Sequence, residues 1–266
     1  MNEIISFLEE DNACQAVYFK GITDILNKEL SDYSIIITTD YNHLPDSKYK
    51  KIVFLICEDG KRGVMPYLAY PDVVAVFRFY SREWGSDSKR VFPIPIGYNC
   101  RSNGYVMERM YPEKKMSERK YDIFYSGQPL FCREQLVERL EMLKSSFNVY
   151  SQITSMFRNG LNIDDYYRML GDSKICVVPN GTSSDTFRYQ EACGSGCIVI
   201  TTTKPNFWYY HYAPVFFIDD WSELTQGFIN NILSQDIEKL RIDTLDYYEK
   251  CLSEQAVAKY ILRCLK

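Results

Sequence analysis

The sequence predicts an α/β protein made of two compact halves, each with its own parallel sheet. The clearest evidence is the segment 173–203, which reads as a buried strand, a polar turn, a charged helix and a second buried strand. A βαβ unit of this kind joins parallel strands of one sheet. Strand and helix patterns alternate along most of the chain, and 266 residues are enough for two domains that each bury a core.

The first half, residues 1–110, is predicted to form one domain. Five short apolar or alternating segments predict strands at 15–19, 33–39, 51–57, 73–79 and 90–96. Between the first two, apolar residues of 21–30 repeat at helical spacing and predict an amphipathic helix. No G-x-G-x-x-G follows the first strand, so a nicotinamide or flavin site is unsupported there.

The second half, residues 111–245, is predicted to form the other domain, after a polar and charged linker within 101–120. Its strands are predicted at 121–125, 147–150, 174–179, 197–202 and 215–218. Helices are predicted at 132–143, 163–170 and 186–194, and another is capped by Asp219 or Asp220 and ends near 233. The last segment, 236–265, reads as amphipathic helix.

Composition and charge exclude several classes of partner and compartment. A net charge of −4 gives no basic field, so nucleic acid is not expected as a partner. Nine cysteines without a C-x-x-C argue against a disulfide framework or structural zinc and indicate a reducing compartment. The acidic start lacks signal-peptide features, and no window approaches about 18 apolar residues. We therefore expect a cytoplasmic protein, bacterial or virus-encoded, without a transmembrane segment.

The turn before the helix of the βαβ unit has the composition of a phosphate-binding loop. Its residues are Asn180, Gly181, Thr182, Ser183 and Ser184. The helix is predicted to begin near Thr186, and a helix N-terminus exposes unpaired N–H groups and about half a positive charge. The carboxyl end of a parallel sheet is also where ligands bind in open α/β folds. This turn therefore suits a phosphate or pyrophosphate.

Arg188 and Glu191 lie three residues apart and therefore share one face of that helix. An arginine there can clamp phosphate oxygens, and a glutamate can accept hydrogen bonds from two neighbouring hydroxyls, such as those of a ribose. Together they indicate a nucleotide. The alternative is a surface ion pair worth about 0.3 kcal/mol.

The run S-x-x-C-x-x-P-x-G, followed by R-x-x-E-A-x-x-x-G-C-I-V-I, resembles the donor-binding half of exostosin-like glycosyltransferases, and more loosely of GT-B glycosyltransferases. It is carried by Ser173, Cys176, Pro179, Gly181, Arg188, Glu191, Ala192, Gly196, Cys197 and Ile198. An upstream piece, YDIFYSGQPLFCREQL, resembles the family too, with a glycine turn at Gly127 and Arg133 opening a helix. The resemblance covers about residues 120–203.

This resemblance implies a GT-B fold, in which two Rossmann-like domains face each other across a cleft and a C-terminal helix, here 246–266, crosses back to the first domain. It implies a nucleoside diphosphate sugar as donor, of the UDP class, and a glycan or glycoconjugate acceptor. Arg188 and Glu191 would contact the donor. Arg133, Gly127 and the turn at 181–184 would help to neutralise the leaving group without a cofactor or metal. Cys176 and Cys197 fit core packing.

Members of the exostosin-like family mostly invert the anomeric carbon, so a general base is expected in the first domain. Asp40, Glu58 and Asp59 follow predicted strands at their carboxyl ends, and His43 is a fourth candidate. Glu58 and Asp59 rank first because the flexible, basic loop 60–63 follows them. Each of the four is also compatible with an ordinary turn or solvated residue.

Two further features leave alternatives open. The aromatic residues of 207–212 suit either sugar stacking or packing between elements. No D-x-D lies between apolar strands and only two histidines are present, so no metal ligands are predicted. Besides a transferase, the sequence is compatible with a sugar-nucleotide epimerase or hydrolase, and with a non-catalytic nucleotide-sugar or glycan-binding module.

Overall fold

The computed structural model describes residues 3–6, 16–38, 44–46, 48–55, 65–79, 89–98, 114–129, 133–155, 160–181, 185–203 and 205–266. The chain divides into two compact units, each with a five-stranded, all-parallel sheet. The first unit comprises Met1–Asn103, Phe207–Tyr209 and Glu249–Lys266, and the second comprises Gly104–Asn206 and Tyr210–Tyr248. The predicted α/β class is confirmed.

The sheet of the first unit follows chain order. Its strands are β1 (Glu3–Ser6), β2 (Tyr33–Thr38), β3 (Lys50–Leu55), β4 (Val73–Arg78) and β5 (Val91–Pro93). The helices described in this unit are α1 (Ala16–Glu29), α2 (Met65–Leu68) and α8 (Glu254–Cys264). The central strands are buried apolar runs, as expected where both faces of a parallel sheet are covered.

The prediction of a first strand at 15–19 is wrong, because residues 16–19 form the start of α1. Tyr18, Phe19, Ile22 and Leu26 are all buried, and their spacing of three to four residues is helical. The short apolar run is therefore the first turn of one amphipathic helix. The first strand of the sheet is β1, which lies in a segment where no strand was predicted.

The C-terminal helix α8 packs on α1 within the first unit. A Cβ atom built on Gly21 would lie 2.8 Å from Cγ of Glu254, so the two helices approach closely at this glycine. The Tyr18 hydroxyl donates to the carbonyl of Leu252 at 2.7 Å, and the Tyr98 hydroxyl donates to the Glu254 carboxylate at 2.7 Å. The predicted return of the C-terminal helix to the first part of the chain is confirmed.

The sheet of the second unit has a different strand order. Its strands are β6 (Tyr121–Gly127), β7 (Val149–Ile153), β8 (Ser173–Val177), β9 (Ile198–Thr201) and β10 (Phe216–Phe217). They lie in the order β10-β9-β8-β6-β7. The chain thus starts at β6, adds β7 beside it as an edge strand and returns to add β8 on the other side of β6. This reversal makes the carboxyl ends of β6 and β8 a topological switch point, where open α/β sheets bind ligands.

Five helices accompany the second sheet: α3 (Glu134–Leu143), α4 (Ile163–Gly171), α5 (Phe187–Gly194), α6 (Gln226–Leu233) and α7 (Ile237–Tyr247). The predicted βαβ unit is confirmed as β8, α5 and β9, with Thr186 as the N-cap residue of α5. The helix predicted from Asp219 or Asp220 is two pieces, because Asp220 caps only a 3-10 turn. The Thr225 side chain then caps α6.

Candidate functional site

The candidate site lies at the switch point of the second sheet. Strand β6 ends there at Gly127, and the segment after β8 leads into the N-terminus of α5. The Thr186 hydroxyl makes no capping hydrogen bond, so the N-cap side chain does not occupy the N–H groups at the start of α5. A helix start of this kind favours a bound anion.

Arg188 extends from the first turn of α5 to the end of β6. Its Nη2 donates to the carbonyl oxygen of Ser126 at 2.7 Å, and its guanidinium lies 5.6 Å from the centroid of the Tyr125 ring. Its Nε is buried and has no hydrogen-bond partner in the part of the chain that the structure describes. The side chain is thus held in place while part of its donor capacity is unused.

Gly127 gives the Arg188 side chain the space it occupies. A Cβ atom at this position would lie 2.9 Å from Nη2 of Arg188 and 3.0 Å from the Tyr125 hydroxyl oxygen. A side chain at the end of β6 would therefore displace the Arg188 guanidinium from its present position. The sequence predicted Gly127 as a turn residue that helps to neutralise the leaving group, and it did not predict this close approach.

Glu191 is almost completely buried, with 4% of its surface exposed. Its Oε2 accepts a hydrogen bond from the Tyr166 hydroxyl at 2.9 Å, and its Oε1 accepts one from the Tyr167 hydroxyl at 3.2 Å. Burial, and then the neighbouring Glu191 charge, raise the pKa of Tyr166 well above its ordinary value, so this hydroxyl keeps its proton and donates. Glu191 is therefore not a solvated carboxylate in a surface ion pair with Arg188, which was the alternative interpretation of these two residues.

Arg133 precedes α3 and is 8% exposed. Its Nε donates to the carbonyl of Asn180 at 3.0 Å, its Nη2 donates to the same oxygen, and its Nη1 donates to the carbonyl of Gln128 at 3.3 Å. These bonds tie the loop after β6 to the loop after β8. The structure therefore places a buried positive charge at the switch point and directs its donors to backbone oxygens.

The loop before α5 is described in part. Asn180 is exposed and Gly181 is half-buried, whereas Thr182, Ser183 and Ser184 lie outside the described residues. Asp185 is buried and accepts a hydrogen bond from the Tyr210 hydroxyl at 3.1 Å. The sequence did not predict this anchor, because its partner lies 25 residues further along the chain.

All four candidate bases, Asp40, His43, Glu58 and Asp59, lie outside the described residues. The strands that precede them, β2 and β3, are parallel neighbours, and Thr38 at the end of one pairs with Leu55 at the end of the other. The carboxyl ends of β2 and β3 therefore lie side by side at one edge of the first sheet.

The rings of 207–209 pack within the first unit. Trp208 donates from Nε1 to the carbonyl of Pro93 at 3.0 Å and stacks on Tyr260 with centroids 4.3 Å apart. In the same cluster Tyr212 is 87% exposed. Of the two alternatives for this aromatic segment, packing accounts for Trp208.

Cys176 and Cys197 are fully buried, and burial raises the pKa of the Cys197 thiol to about 11, which agrees with the predicted core packing. Within the described ranges, no group of three or more His, Cys, Asp or Glu side chains is arranged to hold a metal ion. No described helix is long and apolar enough to cross a membrane.

Comparison with known proteins identifies the fold. No protein-family model and no curated protein matches the sequence. An α1,3-fucosyltransferase structure matches with a TM-score of 0.54 and 12% identity, over 99% of this chain and 90% of that one. TarM of S. aureus matches with a TM-score of 0.50 and 11% identity, over 92% of this chain and 57% of TarM, so the chain spans little more than half of that protein.

A third structure is T4 phage BGT in complex with UDP and Mn²⁺, with a TM-score of 0.48 and 9% identity over 100% of this chain and 99% of that one. At such identities a likeness shows the fold alone. The two parallel-sheet units, together with the likeness to the fucosyltransferase and TarM, establish the predicted GT-B fold, the architecture of a class of glycosyltransferases. The exostosin-like assignment stays a prediction.

One expectation drawn from the resemblance has to be corrected. We expected a reaction without a cofactor or metal, on the grounds that a GT-B fold neutralises its leaving group with side chains and backbone N–H groups. That expectation is wrong as an inference from fold, because the phage protein is in complex with Mn²⁺ as well as UDP.

Proposed function

We propose that this protein is a glycosyltransferase of the exostosin-like kind. It transfers a sugar from a nucleoside diphosphate sugar, of the UDP class, to a glycan or glycoconjugate acceptor, with inversion. One observation carries the proposal: Arg188 and the buried Glu191 lie on one helix that starts at the switch point of the second sheet. The GT-B fold supports the same conclusion.

The cations and the helix start suit the leaving group of such a reaction. Arg188 has unused donor capacity, the buried guanidinium of Arg133 is paired with neutral carbonyls, and the N-terminus of α5 adds a partial positive charge. Negative charge that develops on the diphosphate would be stabilised there by groups already in position. The Glu191 carboxylate would accept hydrogen bonds from the hydroxyls of the ribose.

The acceptor hydroxyl needs a base in the first unit. We propose one of Asp40, Glu58 and Asp59 for this role, with His43 as a further candidate, since these residues follow neighbouring strands of one sheet. The test for the base compares turnover at saturating donor in three variants, Asp40→Asn, Glu58→Gln and Asp59→Asn. One of the three is expected to lose about 10²-fold or more, the loss typical of a missing general base.

Binding of the donor is the first test. Titration calorimetry with UDP and UDP-sugars, in the presence of Mn²⁺ and of EDTA, is expected to show binding that weakens at least about tenfold in Arg188→Ala and Glu191→Ala. Arg168→Ala and Glu141→Ala remove the same groups from exposed positions of the same unit and serve as controls. Wild-type affinity in both site variants would refute this site.

Product analysis then identifies the reaction. With a UDP-sugar and a panel of acceptor glycans, mass spectrometry is expected to find product only when an acceptor is present. Turnover of the donor at the same rate with and without acceptor would instead identify an epimerase or hydrolase. Tight binding of donor without any product, in metal and in EDTA, would identify a binding module.

A further inference from the structure

The carboxylate of Glu191 is held by two consecutive residues of another helix. Tyr166 and Tyr167 of α4 each donate a hydroxyl hydrogen bond to it, one to Oε2 and one to Oε1. Consecutive helical side chains diverge by about 100°, so two neighbours reach one carboxylate only if it lies between their directions. Their rings are edge to face, with centroids 5.4 Å apart and planes at 83°. The carboxylate is thus fixed from both sides.

Packing sets the positions of both hydroxyls. The Tyr166 ring lies edge to face with Phe124, at 5.5 Å and 71°, and Phe124 stacks on Tyr150 at 5.8 Å. Tyr167 is buried, and so is Phe124. Neither tyrosine can reorient freely, so the two donors form a rigid frame for the carboxylate.

Hydrogen bonds donated to a carboxylate favour its ionised form, and this offsets the cost of burying the charge. Within the described part of the chain, titratable groups from several elements face Glu191, among them Tyr166 and Tyr167 of α4, Arg188 of α5 and Cys176 of β8. The hydroxyls of Tyr166 and Tyr167 donate to different oxygens of this carboxylate, and the two bonds together constrain its orientation.

We propose that Tyr166 and Tyr167 are positioning residues of the nucleotide site, which orient the Glu191 carboxylate toward the two ribose hydroxyls. This inference rests on the proposed function, because it assumes that a nucleotide binds at α5. Neither tyrosine needs to touch the ligand. Their effect is exerted through Glu191 and is therefore specific to ligands that carry ribose hydroxyls.

The test compares UDP with 2′,3′-dideoxy-UDP by calorimetry. A site built to bind hydroxyls rejects an analogue without them, so the wild type is expected to prefer UDP by about tenfold or more. In Tyr166→Phe/Tyr167→Phe this preference is expected to shrink toward one, because the carboxylate is no longer oriented. Arg188→Lys, which alters the phosphate contact, is expected to weaken both ligands equally and to keep the preference.

Tyr150→Phe is the matched control, since it removes a hydroxyl from the same aromatic cluster without a bond to Glu191. The single variants Tyr166→Phe and Tyr167→Phe give the same comparison if the double variant folds poorly. A double variant that loses affinity for both ligands equally, or that keeps the wild-type preference, overturns the inference and leaves the proposed function standing. A wild type that binds neither ligand refutes the proposed function itself.

Discussion

Arg133 donates two hydrogen bonds to a single backbone oxygen, the carbonyl of Asn180, and so joins the two loops of the switch point. Only the planar fork of an arginine can do this, because a lysine offers one compact ammonium. Arg133→Lys is therefore expected to keep the charge but lose the loop geometry, and to weaken UDP binding by about tenfold. Calorimetry checks this, with the exposed Arg168→Lys as control. Unchanged affinity would show that charge alone suffices.

Gly127→Ala tests the close approach at the end of β6. The added methyl group would collide with Nη2 of Arg188 and with the Tyr125 hydroxyl. We expect Arg188 to be displaced from Ser126 and UDP affinity to fall about tenfold or more, with loss of one charge-assisted hydrogen bond. Gly160→Ala is the control, because its nearest neighbours would be 3.7 Å away. Equal affinities of the two variants would contradict the assigned role of Gly127.

Arg119 stabilises the helix that carries the site. It is 3% exposed and donates to three backbone carbonyls, of Ser173 at 2.8 Å, Ser195 at 2.9 Å and Gly196 at 3.3 Å. Two of these oxygens lie just beyond the end of α5, where a cation also favours the helix dipole. Arg119→Met leaves buried acceptors unpaired, so the free energy of unfolding is expected to fall by about 3 kcal/mol.

Urea denaturation measures this loss. Arg168→Met removes an exposed arginine from an ion pair with Asp165 and is expected to cost less than about 1 kcal/mol. A loss in Arg119→Met as small as that of the control would mean that water replaces the guanidinium at these carbonyls.

Glu254 makes stability depend on pH in a specific direction, and Glu254→Gln removes that dependence. Burial raises the pKa of Glu254, although the Tyr98 hydrogen bond acts against the rise. The folded state then binds a proton more tightly than the unfolded state, so this group lowers stability as pH rises through its folded pKa. Glu254→Gln is expected to raise Tm near neutral pH and to have little effect below about pH 4, the range of the unfolded pKa.

Thermal melts between about pH 4 and pH 8 check the trend. Glu141→Gln, which makes the same substitution at an exposed position, is the control. If the Tm of the wild type instead rises relative to that of Glu254→Gln as pH increases, the pKa of Glu254 is not raised in the folded state.

The βαβ unit could be predicted because its signals are local. An apolar strand, a polar turn and a helix that ends at glycines are neighbours in the chain, and β8, α5 and β9 follow them closely. Local signals also led to a wrong prediction at 15–19, because a run of apolar residues this short is compatible with both a strand and a helical turn. Only burial of Tyr18 together with Leu26 decides for the helix.

By itself the sequence determined the α/β class and the placement of Arg188 and Glu191 on one helix face. These follow from periodicity and spacing, which act over a few residues. Tertiary structure decided the strand order that makes a switch point and the partners of the site residues. Tyr166 meets Glu191 across 25 residues, and Arg133 meets Asn180 across 47. Contacts at such separations depend on how elements pack, and no spacing rule encodes them.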